Sequence, residues 1–194
     1  LIETNVGKNG GHLMKQLIEY RDRLSRAKRW KQLDEDIHYQ PTQLDRDIVN
    51  PSQIRTVIKA YKENLYTKLF SRRKEVPKTL IFAKTDSHAD DIVQIVREEF
   101  GEGNDFCRKV TYSVDNSESV LSSFRNDYNP RIAVTVDMIA TGTDVKPLEV
   151  VFFMRDVNSD VLYTQMKGRG CRVISDDKLR EVTPNATTKD CFYI

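Results

Sequence analysis

With 194 residues, 39% of them hydrophobic and 31% charged, the chain can bury one core and carry an appendage, and its composition is that of a soluble globular protein. No apolar run approaches the ~20 residues of a helical membrane span and no signal peptide is visible, so no membrane partner is expected. The formal net charge of +2 hides an asymmetry: residues 1–78 hold 17 Lys and Arg against 10 Asp and Glu, and the remainder 14 against 19, so the first part is a candidate to face nucleic acid, with a solvated helical surface as the alternative.

Residues 1–11 show no periodicity. Leu13, Leu17, Tyr20 and Leu24 recur at helical spacing, which predicts a helix continuing to about Leu33. It would carry Arg21, Arg23, Arg26, Lys28, Arg29 and Lys31 around Trp30. Arg26, Lys28 and Arg29 are the candidates for DNA-backbone contacts, and Trp30 suits packing on a neighbouring domain or stacking on a base. Residues 34–50 are polar, contain Pro41 and read as a linker. Asn50-Pro51 reads as a helix start, with Asn as cap and Pro at the first helical position. Ile54, Val57, Ile58, Tyr61, Leu65 and Leu69 give that helix its apolar stripe, and Pro77 breaks the pattern. The expected division is a helical segment and linker over 1–75, then the main domain over 76–194.

From Leu80 the period switches. Leu80-Ile81-Phe82-Ala83 is a short apolar strand. Ser87-His88-Ala89-Asp90 reads as a capping box, and Ile92, Val93, Ile95, Val96 and Phe100 as a helical face that exits at Gly101. His88, in the first turn, suits local packing or capping. Further strands are expected over 108–114, 132–136, 150–154 and 190–194, with a short helix after Ser117 and another running from Asp156–Asp160 into Gln165. Strands alternating with helices at this spacing imply right-handed crossovers and an α/β fold, a mainly parallel sheet covered on both faces.

The stretch Gln165-Met166-Lys167-Gly168-Arg169-Gly170-Cys171-Arg172 carries the chemistry. A helix running into it would turn Gln165, Arg169 and Arg172 to roughly one face. Each guanidinium is permanently charged and offers a planar fork of donors suited to phosphate oxygens. Two of them meet the need of a phosphoryl-transfer transition state, in which charge spreads over the transferred group. Gly168 and Gly170 flank Arg169 and permit a close backbone approach. Because ligands of such sheets bind outside the carboxyl ends of the strands, Asp137, Gly142, Thr143 and Asp144, after the third strand, are expected at that edge, where the carboxylates would accept hydrogen bonds from a ribose or pair with the arginines.

These words form a set. Gln165–Arg172 resembles motif VI of superfamily 2 helicases and translocases, Val136–Asp144 resembles their motif V, and Thr79–Lys84 their motif IV. In this order they mark the second RecA-like motor domain, a three-layer fold. VTVDMIATGTD, VFFMRDVNS and QMKGRGCRV are similar to the motor (restriction) subunit of type I restriction-modification enzymes. The resemblance covers residues 76–194 strongly and the preceding part more weakly. It implies that Arg169 and Arg172 reach the γ-phosphate of ATP, bound with Mg²⁺ mainly by a first motor domain. It also implies that Gln165 couples nucleotide to the domain interface, and that Gly142 and Asp144 lie near the ribose. The implied partners are double-stranded DNA, a first RecA-like domain and a nuclease domain of the same parent chain, and methylation and specificity subunits. Val136 and Thr141 stand where RNA helicases of the superfamily have a phosphate-contacting Thr and an Arg, which fits a duplex-DNA translocase better.

No G-x-x-x-x-G-K-[ST] phosphate loop and no acidic Mg²⁺-binding strand end occur in the sequence. The chain is therefore expected to complete an ATP site without forming one alone, and to show no ATPase activity by itself. It starts without Met and ends Cys191-Phe192-Tyr193-Ile194, which reads as a strand, so a fragment of a longer protein is expected. Cys107, Cys171 and Cys191 give neither metal spacing nor a disulfide framework and suit a reducing cytoplasm; no metal site is expected from them or from the dispersed histidines. Two other classes stay open: the second motor domain of another superfamily 2 DNA or RNA helicase, and a non-enzymatic nucleic-acid-binding module. A phosphate loop upstream would separate the motors from the module, and an upstream nuclease domain would select the restriction subunit.

Overall fold

The computed structural model describes residues 51–111, 117–136 and 144–194, together with the backbone of four short strands between residues 11 and 39. The chain divides into two compact units, Leu1–Val57 and Ile58–Ile194.

In the first unit, β1 (Gly11–Leu13) pairs antiparallel with β4 (Ile37–Tyr39), and β2 (Leu17–Arg21) with β3 (Lys28–Gln32). This corrects the helix expected from Leu13 to Leu33. Leu17-Ile18-Glu19-Tyr20-Arg21 satisfies a period of two as readily as one of 3.6, and Ile18, Tyr20 and Trp30 are residue types that favour strands. Lys28 and Arg29 stand opposite Arg21 and Tyr20 in the register. Helix α1 (Pro51–Asn64) follows, with Pro at its first position; Asn50 lies outside the described residues. A single π-helical turn, Leu65–Leu69, extends it, closed by Phe70 N–H on the Leu65 carbonyl at 2.7 Å.

The second unit is built on a parallel sheet. Its strands are β5 (Lys78–Phe82), β6 (Cys107–Lys109), β7 (Ile132–Thr135) and β8 (Leu148–Phe153), in the spatial order β6-β7-β5-β8. Helices α2 (Asp86–Phe100) and α3 (Ser117–Asn126) make the crossovers, α4 (Asp160–Gly168) follows β8, and α5 (Asp176–Val182) comes after the arginines. Every residue of β5 and β7 is buried, as in a sheet covered on both faces. One face packs Leu80, Phe82, Ala133, Leu148 and Val151 against Leu121 and Phe124 of α3 and Met166 of α4. On the other, the Tyr61 hydroxyl meets Thr79 Oγ1 at 2.8 Å and its ring packs edge-on to Phe152.

Two expectations shift. The strand expected over 108–114 is limited to Cys107–Lys109, with Val110 N–H still bonded to the Val134 carbonyl and residues 112–116 outside the described ones. The strand expected over 190–194 is a single parallel bridge between Tyr193 and Val150. The register of β5 on β8 slips between Lys78 and Thr79, leaving Glu149 as an extra residue. Such a bulge lets Leu148 and Val151 share one face, and the Glu149 carboxylate, 1% exposed, pairs with Arg73 at 2.6 Å.

Helix α2 is capped by Thr85, whose hydroxyl accepts from His88 N–H, rather than by Ser87. It ends at Gly101, whose φ of 70° is the left-handed conformation that glycine adopts without strain. Helix α4 is capped by Ser159, accepting from Leu162 N–H at 3.3 Å.

Candidate nucleotide-facing site

The placement of the arginines follows from the topology. Strands β7 and β8 are parallel, and residues Asp144 to Pro147 lead into the start of β8. Helix α4 leaves the carboxyl end of β8 and returns, which brings its last turn to the same place. The outcome is an ion pair: Arg172 Nε lies 3.1 Å from Asp144 Oδ1. Asp144 lies four residues before the start of β8.

After Gly168 the backbone tightens. Arg169, Gly170 and Cys171 N–H bond to carbonyls three residues back, at 3.2, 3.0 and 3.4 Å, the pattern of a narrowed last turn. Arg172 thus lies one turn past the helix rather than on its face. Gln165 is on the exposed side of α4. Arg169 is half-buried and lines a small apolar pocket with Leu80, Val110, Leu121, Phe124, Ala133 and Val145. Partial burial lowers its proton affinity, the neighbouring Arg172 lowers it further, and Asp144 opposes both. Arg169 and Arg172 thus bring two guanidinium groups together beside the carboxylate of Asp144. Two neighbouring forks of donors suit an anion such as a phosphate, whose oxygens would relieve the mutual repulsion.

The two glycines differ. A Cβ on Gly170 would stand 2.5 Å from Phe192 Cδ2, whereas one on Gly168 would meet nothing within 4 Å. Within the chain a close approach occurs at Gly170, and it is an approach of Phe192. Gly142, Asp137 and Arg26 lie outside the described residues. Lys28 and Arg29 are on β3, and their side chains are not among those described. No group of three His, Cys, Asp or Glu that could hold a metal ion occurs among the described residues, and no helix there is long and apolar enough to cross a membrane.

Sequence reasoning missed Lys189. Its ammonium donates to the carbonyls of Arg172 at 2.7 Å and Lys146 at 3.0 Å. A lysine acting on backbone carbonyls leaves no residue-type signature, and Lys189 sits in a polar stretch with no periodicity.

Residues 58–173 match the family described as the helicase conserved C-terminal domain. A stretch of 105 residues is 35% identical to the type I restriction enzyme EcoKI endonuclease subunit of Escherichia coli strain K12, covering 50% of this chain and 9% of that protein. Over 145 residues the chain is 24% identical to the EcoAI endonuclease subunit of Escherichia coli, covering 72% and 17%. The chain thus spans less than a fifth of the length of either relative. Among solved structures, a fragment described as an HsdR subunit of a type I restriction enzyme from Vibrio vulnificus YJ016 superposes with a TM-score of 0.53 at 23% identity, covering 76% of this chain and 29% of that one. Domain 2 of the DEAD-box helicase Mss116p, bound to an RNA duplex, gives 0.52 at 17%, covering 74% and 60%. At these identities the two structures speak to the fold.

Proposed function

The chain belongs to the helicase conserved C-terminal domain family, with the RecA-like α/β fold of its structural neighbours, and we propose that it is the second motor domain of an ATP-dependent DNA translocase, the motor subunit of a type I restriction enzyme. Residues 76–194 form the motor domain and 1–75 the segment that precedes it. The observation that carries the reading is the meeting of Arg169, Arg172 and Asp144, from the two stretches that resemble motifs VI and V, which sets two guanidinium groups side by side. The likeness in sequence to two named endonuclease subunits supports the restriction enzyme over other helicases.

In this reading Arg169 and Arg172 meet the γ-phosphate of Mg²⁺-bound ATP held mainly by a first motor domain. Bound ATP supplies a transferable phosphoryl group, and these arginines supply fixed donors where its negative charge spreads. Asp144 orients Arg172, Gln165 lies toward the domain interface, and Gly142 lies near the ribose. Arg26, Lys28 and Arg29 contact DNA phosphates without regard to sequence, and Asp137 borders the DNA path. The nuclease domain and the methylation and specificity subunits complete the cytoplasmic assembly.

The test is phosphate release with Mg-ATP and duplex DNA, for the 194-residue chain and for the full-length protein. Turnover only in the full-length protein, stimulated by duplex DNA, is the expected result. Turnover by the purified chain alone, or a full-length protein with no ATPase activity, contradicts the reading.

A further inference from the structure

The turn that carries the arginines is tied down by a segment outside the motifs. Residues 188–193 lie along the edge of β8. Tyr193 N–H donates to the Glu149 carbonyl and Val151 N–H to the Tyr193 carbonyl, both at 2.9 Å. The Tyr193 hydroxyl donates to the Leu69 carbonyl at 2.8 Å, and the Arg73 guanidinium to the Thr188 carbonyl at 3.3 Å. From this anchored strap two side chains reach the arginine turn. The Phe192 ring fills the place beside Gly170, and Lys189 Nζ bridges the carbonyls of Arg172 and Lys146.

That bridge links both halves of the ion pair. Arg172 is itself one partner, and Lys146 follows Asp144, the other, by two residues. The Arg172 and Asp144 side chains are 56% and 48% exposed, and an ion pair so open to water holds geometry weakly. Hydrogen bonds from an ammonium to carbonyls are charge-assisted, stronger than those between neutral groups, and here two of them converge on one nitrogen. We infer that Lys189 is a positioning residue for Arg172, joining the Arg172 carbonyl to the Lys146 carbonyl and so setting the reach of the Arg172 guanidinium from the Asp144 loop. This rests on the reading of Arg172 as a phosphate-facing arginine. Lysine suits such a bridge because it has three donors on one atom and no acceptor, whereas the planar arginine fork spreads its donors apart. Burial draws Lys189 below the ordinary lysine range, and the carboxylates of Glu149 and Asp144 are among the charges that pull it back.

The experiment uses the full-length protein with Lys189→Met, which keeps an apolar stem without donors, alongside Arg172→Ala and the double variant. Steady-state ATPase with saturating duplex DNA is paired with amide hydrogen exchange. Lys189→Met is expected to lower kcat roughly tenfold with KM little changed, as a small misplacement of a catalytic group does. Exchange should quicken at residues 169–173 and stay unchanged in β5 and β7. In the Arg172→Ala background Lys189→Met should lower turnover no further. Unchanged kcat or unchanged exchange at 169–173, with Arg172→Ala inactive, overturns the positioning role alone. An equal loss with and without Arg172 overturns it too, since the lysine would then act only on stability. Wild-type turnover in Arg172→Ala overturns the phosphate-facing reading itself, and the role of Lys189 with it.

Discussion

Arg172, past the end of α4, and Asp144, at the approach to β8, meet at 3.1 Å between Nε and Oδ1. The two lie 28 positions apart in the sequence, and a parallel strand and its returning helix bring them together. Both side chains are about half exposed, so the pair adds at most about 1 kcal/mol to stability. Its consequence is placement: it brings the Arg172 guanidinium to the Asp144 loop, while the Lys189 bridge between the Arg172 and Lys146 carbonyls ties the two backbones together.

In the full-length protein, Arg172→Ala should therefore leave folding and DNA binding near wild type and collapse ATP turnover by about 10³–10⁵-fold, because the guanidinium meets charge that develops in the transition state. Arg172→Lys should rescue incompletely, since an ammonium keeps the charge and loses the fork. Arg169→Ala should resemble Arg172→Ala, and the double variant should fall far short of the product of the two losses, as both act on one charge. Steady-state ATPase with saturating DNA checks this. A pair of ordinary surface arginines would change any property by less than about 0.5 kcal/mol.

The two glycines of the same stretch should part company on substitution to alanine. Gly170→Ala sets a methyl 2.5 Å from Phe192 Cδ2. The ring belongs to the strap bridged to β8, so accommodation should cost about 1–3 kcal/mol. Gly168→Ala meets open space at the last position of a helix, and should be neutral or stabilise by up to about 1 kcal/mol. Urea unfolding of the two variants side by side decides. Equal stabilities would mean that Phe192 has somewhere to go.

Arg73 and Glu149 offer a test of the core. The Glu149 carboxyl is 1% exposed; burial raises its pKa, and Arg73 is the main opposing influence. Arg73→Met should cost roughly 3–5 kcal/mol by leaving a buried carboxylate without its partner. Because that carboxyl would then titrate still higher in the folded state, the folded chain binds more protons than the unfolded one. Stability of the variant should thus fall as pH rises from the ordinary carboxyl range. Adding Glu149→Gln should recover most of the loss and flatten that slope.

How much of the molecule is legible in its sequence depends on what each residue does. Strands β5, β7 and β8 are visible because a parallel strand buried on both faces is an apolar run. Helix α2 is visible from Ile92 to Gly101, but its cap is ambiguous by two residues, since Thr85 and Ser87 both offer hydroxyls before the same apolar face. The first part misleads because Leu17–Arg21 fits two periods at once. In the arginine stretch the donor chemistry is legible from residue types. That a carboxylate of the Asp137–Asp144 loop could pair with these arginines is legible too, and Asp144 does so with Arg172; which arginine it meets is not, since that depends on how the fold brings the two connections together. The Lys189 bridge and the Phe192 contact use backbone carbonyls and the absence of a side chain, and neither is written in a motif.

His88 should report on the carboxyl side of β5 through pH. Its backbone N–H donates to the Thr85 hydroxyl, and its Nδ1 accepts from Lys84 N–H at 3.3 Å, an arrangement that requires an unprotonated Nδ1. Burial pushes its pKa down to about 4; the Asp91 carboxylate pulls it up, and Lys84 pushes it down. An unfolded chain would titrate near the usual histidine value of about 6.5. Between about pH 6.5 and 4 the unfolded chain therefore binds more protons than the folded one, so the contribution of His88 is complete above that window and is lost as pH falls through it. The loss is on the order of 3 kcal/mol. His88→Asn keeps a short side chain with an acceptor oxygen and removes the titration. Urea unfolding of both chains at constant ionic strength should show the wild type losing about that much more stability than the variant between pH 6.5 and 4, while the two run parallel from 6.5 to 8. Carboxylates titrate in both chains and cancel in the difference. Parallel curves through the acid window, or a His88 ring that titrates near 6.5 by NMR in the folded chain, would show that the imidazole is charged in place and that Lys84 N–H has another acceptor.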